Sequence, residues 1–324
     1  MMNFLRLLFL LGWEMARQEW VVRRRLLPRL RQGALSVSAK GRILHYARLV
    51  PMLAALNCRL LLGRGLGRQE RNTLLIISAL TPLYDDFFDQ KNASPLRLAA
   101  LLRGDGGLGG VDGREQLVAD FAAVLRAGMP RFPQFLALSE RVFEAQLAAK
   151  RQESGGLSRA ELRAIAFDKG GFGARLFATL LEHAPVAGEA DALHQLGGMV
   201  QLVDDIFDVW ADVQAGVQTL ATSSGDVRAT WDFFDAELAR LFELFRNLAL
   251  PQRRIRRFLA FQLLFFSLAA VCLRQHLDLQ ERAGGRFEPV RYGRGDLVCD
   301  MALWRNRWRW ARFWWAYRRR FLRQ

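Results

Sequence analysis

Twice in this chain an apolar, helix-compatible run carries aspartates spaced by one helical turn. The first reads Tyr84-Asp85-Asp86-Phe87-Phe88-Asp89. The second reads Gln201-Leu202-Val203-Asp204-Asp205-Ile206-Phe207-Asp208, with Asp212 one turn further on. On an α-helix, residues four apart share a face and lie about 6 Å from one another. Asp85 and Asp89 therefore project together, and so do Asp204, Asp208 and Asp212. Carboxylates stacked in this way repel, and apolar neighbours deprive them of water, so a compensating cation is required. An oxygen-only donor set without His or Cys points to magnesium, which takes a few carboxylates, several waters and a substrate phosphate. The expected ligands are Asp85, Asp86, Asp89, Asp204, Asp205, Asp208 and Asp212. Two such patches, far apart in sequence, are expected to form two walls of one site, on the order of 10 Å apart across a bound diphosphate.

A solvated acidic helix would also show i, i+4 carboxylates. It would not carry Leu75-Ile76-Ile77-Ser78-Ala79-Leu80 upstream and Phe87-Phe88 within. The rest of the chain reads as helix after helix. Segments 42–63, 70–90, 114–127, 133–150, 158–182, 190–215, 230–248 and 252–277 are apolar-periodic. Breaks are expected at Thr81-Pro82, in the glycine-rich 104–113, at Ser154-Gly155-Gly156, near Pro185 and across 283–296. Ser158-x-x-Glu161 is a capping box opening a helix. Gly104-Asp105-Gly106-Gly107-Leu108-Gly109-Gly110 lacks the Lys-Ser/Thr of a phosphate-binding loop and is expected to be a surface loop. The fold class is all-α. One site built from both halves predicts a single helical domain over 1–303 around a central apolar cavity, followed by a basic, Trp-rich helix at 304–324.

At 324 residues and 51% hydrophobic, the chain can bury a large core. Its three cysteines, Cys58, Cys272 and Cys299, are scattered and odd in number, which favours a reducing, cytoplasmic compartment over a disulfide framework. His45, His183, His194 and His276 show no metal-ligand spacing and are expected to be structural. The net charge of +15 attracts diphosphates and acidic lipid headgroups. Only Lys40, Lys91, Lys150 and Lys169 are lysines; the other 43 of the 47 basic residues are arginines. No finger, RNP or helix-turn-helix signature accompanies that charge, so nucleic acid is not an expected partner.

Three segments bear on membranes. Residues 3–13 are apolar but too short to span, and no small-residue cleavage site follows. Phe258–Leu273 has the length of a buried helix. At the C-terminus, Trp304, Trp308, Trp310, Trp314 and Trp315 alternate with arginines. Helical geometry gathers Arg305, Arg309, Arg312, Arg319 and Arg323 on one side and leaves a broad aromatic side. Such a helix either lies on an anionic membrane, making the protein peripheral, or packs its tryptophans on the domain.

Asp85-Asp86-x-x-Asp89 resembles the first aspartate-rich motif of class I isoprenoid (terpenoid) synthases. Gly198-Met199-Val200-Gln201-x-x-Asp204-Asp205-x-x-Asp208 resembles the second motif of the trans-prenyltransferases. The continuation Asp208-x-x-x-Asp212-x-x-x-Gly216 is closer to squalene and phytoene synthases. The resemblance spans roughly residues 40 to 300 and implies a helical bundle around an apolar cavity. It implies three magnesium ions, a prenyl diphosphate substrate, and lyase or transferase chemistry with Asp85, Asp89, Asp204 and Asp208 at its centre. It also admits a homodimer. Lys169, in Asp168-Lys169-Gly170-Gly171, is similar to the Lys-Thr position ahead of the prenyltransferase second motif, and the two glycines would permit a helix break there. Arg291-Tyr292 is similar to the diphosphate-binding Arg-Tyr pair of terpene cyclases, and Gln201 to the Gln preceding the second motif. Arg71 and Arg228 are weaker candidates for the same clamp.

The allylic cation that this chemistry implies needs a dry pocket with aromatic faces. Phe87, Phe88, Phe172 and Phe207 are placed to supply them or simply to pack. The chain departs from the elongating enzymes: Gln90-Lys91-Asn92-Ala93-Ser94 stands where they carry Arg-Arg-Gly, and their upstream basic motif is only echoed by Lys40-Gly41-Arg42. Cyclisation of one allylic diphosphate, or head-to-head coupling of two, therefore fits better than chain elongation. A non-catalytic, membrane-associated helical protein is the alternative outside enzymology.

Overall fold

The computed structural model describes residues 4–32, 36–89, 100–104, 113–129 and 131–322, with the side chains of 4–8, 31–32, 84–89 and 113–114 outside that description. It is all-helical, without a strand among the described residues. In chain order the helices are α1 (Phe4–Val21), α2 (Leu27–Gln32), α3 (Val37–Asn57), α4 (Arg68–Asp89), α5 (Gly113–Gly128), α6 (Phe132–Ala149) and α7 (Arg159–Ala178). They continue with α8 (Glu189–Phe207), α9 (Val209–Ala215), α10 (Val227–Arg246), α11 (Gln252–Arg282), α12 (Arg294–Leu297) and α13 (Trp304–Leu322). These fall into two compact units, Met1–Glu140 with Leu176–Ala184, and Arg141–Arg175 with Pro185–Gln324.

In the first unit α3 packs on α1 and α4, and α4 also packs on α5. α4 is buried nearly all round from Thr73 to Leu80, which is why that stretch reads as a continuous apolar run rather than a stripe. The break expected at Thr81-Pro82 does not occur: Pro82 lies inside α4. Pro82 and Leu83 are buried, and packing of this face outweighs the hydrogen bond that proline cannot make. Thr81 Oγ1 donates to the Ile77 carbonyl one turn back. The polar anchor of the unit is Glu14, buried on α1, which pairs with Arg59 at 3.0 Å and Arg71 at 3.1 Å.

In the second unit α11 is the inner helix, flanked by α8, α10 and α13. Phe258, Leu263, Phe266 and Cys272 are buried on it. Each such phenylalanine or leucine contributes about 1.5–3 kcal/mol by leaving water. α11 is also long and apolar enough to cross a membrane, but 61% of its most apolar window is buried inside the protein. The capping box forms at the head of α7, with the Ser158 amide donating to Glu161 at 3.0 Å and the Glu161 amide to Ser158 Oγ at 3.3 Å. All three cysteines are buried and free.

α13 packs one side on the protein and leaves the other side to solvent. Tyr317 and Phe321 are buried, Tyr317 donates to Asp235 at 2.7 Å, and Trp310 Nε1 donates to the Leu264 carbonyl at 2.8 Å. Trp304, Trp308 and Trp315 face outward. The single broad aromatic side expected from the sequence is thus split into an inward and an outward set, and Arg309 turns in toward Asp278.

Candidate functional site

The second aspartate cluster is built where α8 runs into α9. The sequence predicts one helix over 190–215, but the backbone opens at Asp208, with φ −92° and ψ 11°. Aspartate is a poor helix former, and like charges one turn apart strain the stack. The ladder nevertheless continues through the opening: the Asp208 amide donates to the Asp204 carbonyl at 2.9 Å, and that of Asp212 to Asp208 at 2.8 Å. The three carboxylates therefore keep one face. Gly216, at φ 70°, then turns the chain so that Val217 and Thr219 come back over that face.

These residues line a cavity of about 210 Å³ with Gln152, Ala166, Lys169, Gln201, Asp204, Asp205, Asp208 and Asp212. Lys169 arrives there on α7 by a route the sequence reading did not foresee. The expected break at Gly170-Gly171 is absent, and α7 runs unbroken through both glycines. They serve close helix packing instead. A Cβ on Gly170 would collide with the Gly197 carbonyl oxygen, and one on Gly197 with that of Gly170. On either side of this crossing, Gly171 accommodates the His194 ring and Gly198 the Phe167 ring. Removing the side chains brings the two backbones together and sets Lys169 against the aspartate wall.

Four carboxyls face one ammonium in this space, and burial first, then like charge, raises the proton affinities of Asp204, Asp205 and Asp212. Burial pushes Asp212 up to about 7, reinforced by the charges of Asp205, Asp208 and Asp204. Burial likewise pushes Asp205 up to about 6, against the hydrogen bond from Gln201 and the pull of Lys169. Asp204 is raised by desolvation and then by Asp208. It is exposed by area, yet it sits in a concave wall where protein replaces much of its water. Gln201 Nε2 donates to Asp205 Oδ1 at 2.8 Å and reaches Asp204 Oδ2 at 3.4 Å, so it orients the carboxylates.

The donor chemistry fits magnesium. All the acidic groups are hard oxygens, and they carry an excess negative charge that a cation would relieve. Among the described residues no three carboxylate, imidazole or thiol groups form a preformed ligand cage.

Asp85, Asp86 and Asp89 belong to the end of α4 in the first unit, and their side chains, with those of Phe87 and Phe88, lie outside the described residues. Arg291 and Tyr292 do not line the cavity. Arg291 is exposed and pairs with Glu288, while Tyr292 donates to the Leu279 carbonyl and stacks on Phe287. Arg228 is an exposed residue 3.9 Å from Glu281, and Arg71 belongs to the buried Glu14 pair. Phe172 packs edge-on against His194, beneath the Arg141 and Arg175 guanidiniums. Phe207 ends α8 half-buried.

The rim residues Gln152 and Thr219 escaped the sequence reading because polar loop residues look alike. Here Gln152 Nε2 donates to the Gln218 carbonyl at 2.9 Å, and Gln218 brackets the Leu157 backbone, which ties the rim together. No protein-family model, curated protein or solved structure matches the chain.

Proposed function

We propose that this chain is a magnesium-dependent enzyme of the class I isoprenoid synthase kind, which ionises an allylic prenyl diphosphate and cyclises or couples the resulting cation. The observation that carries the reading is the gathering of Asp204, Asp205, Asp208 and Asp212 around one cavity with Lys169 as its cation. An all-helical fold is compatible with it. Asp204 and Asp208, open to the cavity, are the residues to hold magnesium, with Asp212 one turn beyond and Asp205 steadied by Gln201. Bound magnesium would supply the charge neutralisation that makes diphosphate a leaving group. Lys169 donates to a phosphate oxygen, adding positive charge where negative charge develops as the allylic C–O bond breaks. The electron pair leaves with the diphosphate. Attack by a double bond of the same chain or of a second prenyl chain forms the new C–C bond and passes the positive charge to another carbon, and loss of a proton then quenches the cation. Asp85, Asp86 and Asp89 are assigned to the same metal chemistry by their motif.

Head-to-head coupling is the second reading, favoured by the acidic Asp212 one turn beyond Asp208 in the cavity wall. Diphosphate release from geranyl, farnesyl and geranylgeranyl diphosphates, with and without magnesium, tests both, with products identified by mass spectrometry. Magnesium-dependent release with a cyclic or linear terpene supports cyclisation. Two diphosphates released per product supports coupling. No release from any substrate overturns catalysis in favour of a non-catalytic helical protein.

A further inference from the structure

The outward face of α13 has no part in the aspartate cavity, and it is built from two chemistries at once. Trp304, Trp308 and Trp315 are 77%, 61% and 54% exposed. They stand at i, i+4 and i+11, which places all three on one line along the helix. Ala311, also exposed, fills the remaining position of that line, and Leu303 at its head is exposed too. The opposite line, Asn306, Trp310, Phe313, Tyr317 and Phe321, packs on the protein. The exposed tryptophans are therefore not the spill-over of a buried face.

Charge brackets this stripe. α13 carries seven arginines and no acidic residue. Arg309 and Arg320 are drawn inward by Asp278 and Asp235. Arg305, Arg312 and Arg319 are exposed and make no ion pair or hydrogen bond among the described residues. At 100° per residue they run alongside the tryptophans as a second line. Indole prefers the boundary between headgroups and acyl chains, and arginine beside it meets anionic phosphates while its stem lies along the apolar surface.

We propose that α13 docks this protein on an anionic lipid bilayer, with Trp304, Trp308 and Trp315 in the acyl boundary and Arg305, Arg312 and Arg319 on the headgroups. Charge selects this occupant over a second copy of the chain, which would bring another acid-free, arginine-lined helix and a further net charge of +15 to the same surface.

Co-sedimentation of the full-length protein with phosphatidylcholine vesicles, with and without phosphatidylglycerol, tests the proposal. Two triple variants accompany it, W304S/W308S/W315S and R305Q/R312Q/R319Q, each checked for folding by circular dichroism. All six positions are exposed, so both variants are expected to fold. The wild type is expected to bind the anionic vesicles at low salt and to weaken as salt rises. The arginine variant should lose affinity by about fivefold per residue. The tryptophan variant should also lose binding, and with it the quenching of wild-type fluorescence by brominated acyl chains. Failure of the wild type to bind anionic vesicles at low salt overturns the proposal. So does binding that survives both variants, for instance through the exposed Phe9, Trp13 and Trp20 of α1. Loss in the arginine variant alone would show a general polyanion surface, and loss of a dimer rather than of vesicle binding would show self-association. Either result also overturns it.

Discussion

Asp212 holds its proton up to a pH of about 7, where an unfolded aspartate releases it near 4. Between those values the folded protein binds a proton that the unfolded chain gives up. Stability therefore falls as pH rises through this window, and the loss is complete above the folded value. Asp212→Asn removes the titration. Without magnesium, the variant is expected to melt about 2–4 °C above wild type at pH 8 and level with it at pH 4, as read by calorimetry. Magnesium should narrow the gap at pH 8 by stabilising wild type more than the variant. Gln201 makes a separate case. Gln201→Leu strips the hydrogen bond that holds Asp205 down, so that carboxyl should take its proton more tightly and compete less well for metal. Magnesium affinity by titration calorimetry should drop by about 10–100-fold, the usual effect of losing a partner that orients ligands. An unchanged affinity would remove Gln201 from the site. The aspartates were legible as residues because i, i+4 acids in apolar runs are rare. The part played by Gln201 was not, since a glutamine bonded to a carboxylate and one bonded to a phosphate look identical in sequence.

At the scale of elements, the crossing of α7 and α8 decides where Lys169 points. Gly197→Ala would push a methyl group into the Gly170 carbonyl, and the helices would have to part. A cost of about 1–3 kcal/mol is expected from overpacking, with loss of magnesium-dependent turnover as Lys169 withdraws. Gly173→Ala is the control. It lies on α7 with open space around it, and there alanine should stabilise by about 0.5–1 kcal/mol. Equal melting temperatures for the two variants would refute the packing role of the crossing. Glycine pairs on paper suggest a break as readily as a close approach, because local propensity alone cannot say whether another helix is waiting. The same limit governs Thr81-Pro82: proline argues for a stop, and the burial of Pro82 and Leu83 inside the first unit overrides it.

For the whole molecule, the strongest expectation joins charge and ligand. A ligand that binds only the folded state stabilises it by mass action, by about 2.7 kcal/mol at a hundredfold excess over its dissociation constant. Magnesium with inorganic pyrophosphate should therefore raise the melting temperature by several degrees, and by more than either component alone. Asp208→Asn should abolish that synergy and lower turnover by about 100-fold or more. Asp85→Asn is expected to do the same. A synergy retained in both variants would disconnect the aspartate clusters from diphosphate binding. High salt should weaken pyrophosphate binding, since a protein of net charge +15 attracts anions over a range that counter-ions screen.

What the sequence determined by itself was the class of fold and the chemistry worth looking for. Periodicity located most of the helices, though not α1, α2 or α12, because a buried apolar face must recur every three to four residues wherever it lies. The spacing of Asp204, Asp208 and Asp212 put them on one face, because helical geometry is local. Tertiary structure decided what no local rule contains. It folded the chain after Gly216 back over the acids. It set the glycine pairs of α7 and α8 against one another at one crossing, so that Lys169 could reach the acids. It left Arg291 and Tyr292 outside that cavity. It also divided the tryptophans of α13 between the core and the solvent, since which side of a helix is buried depends on the neighbour it meets.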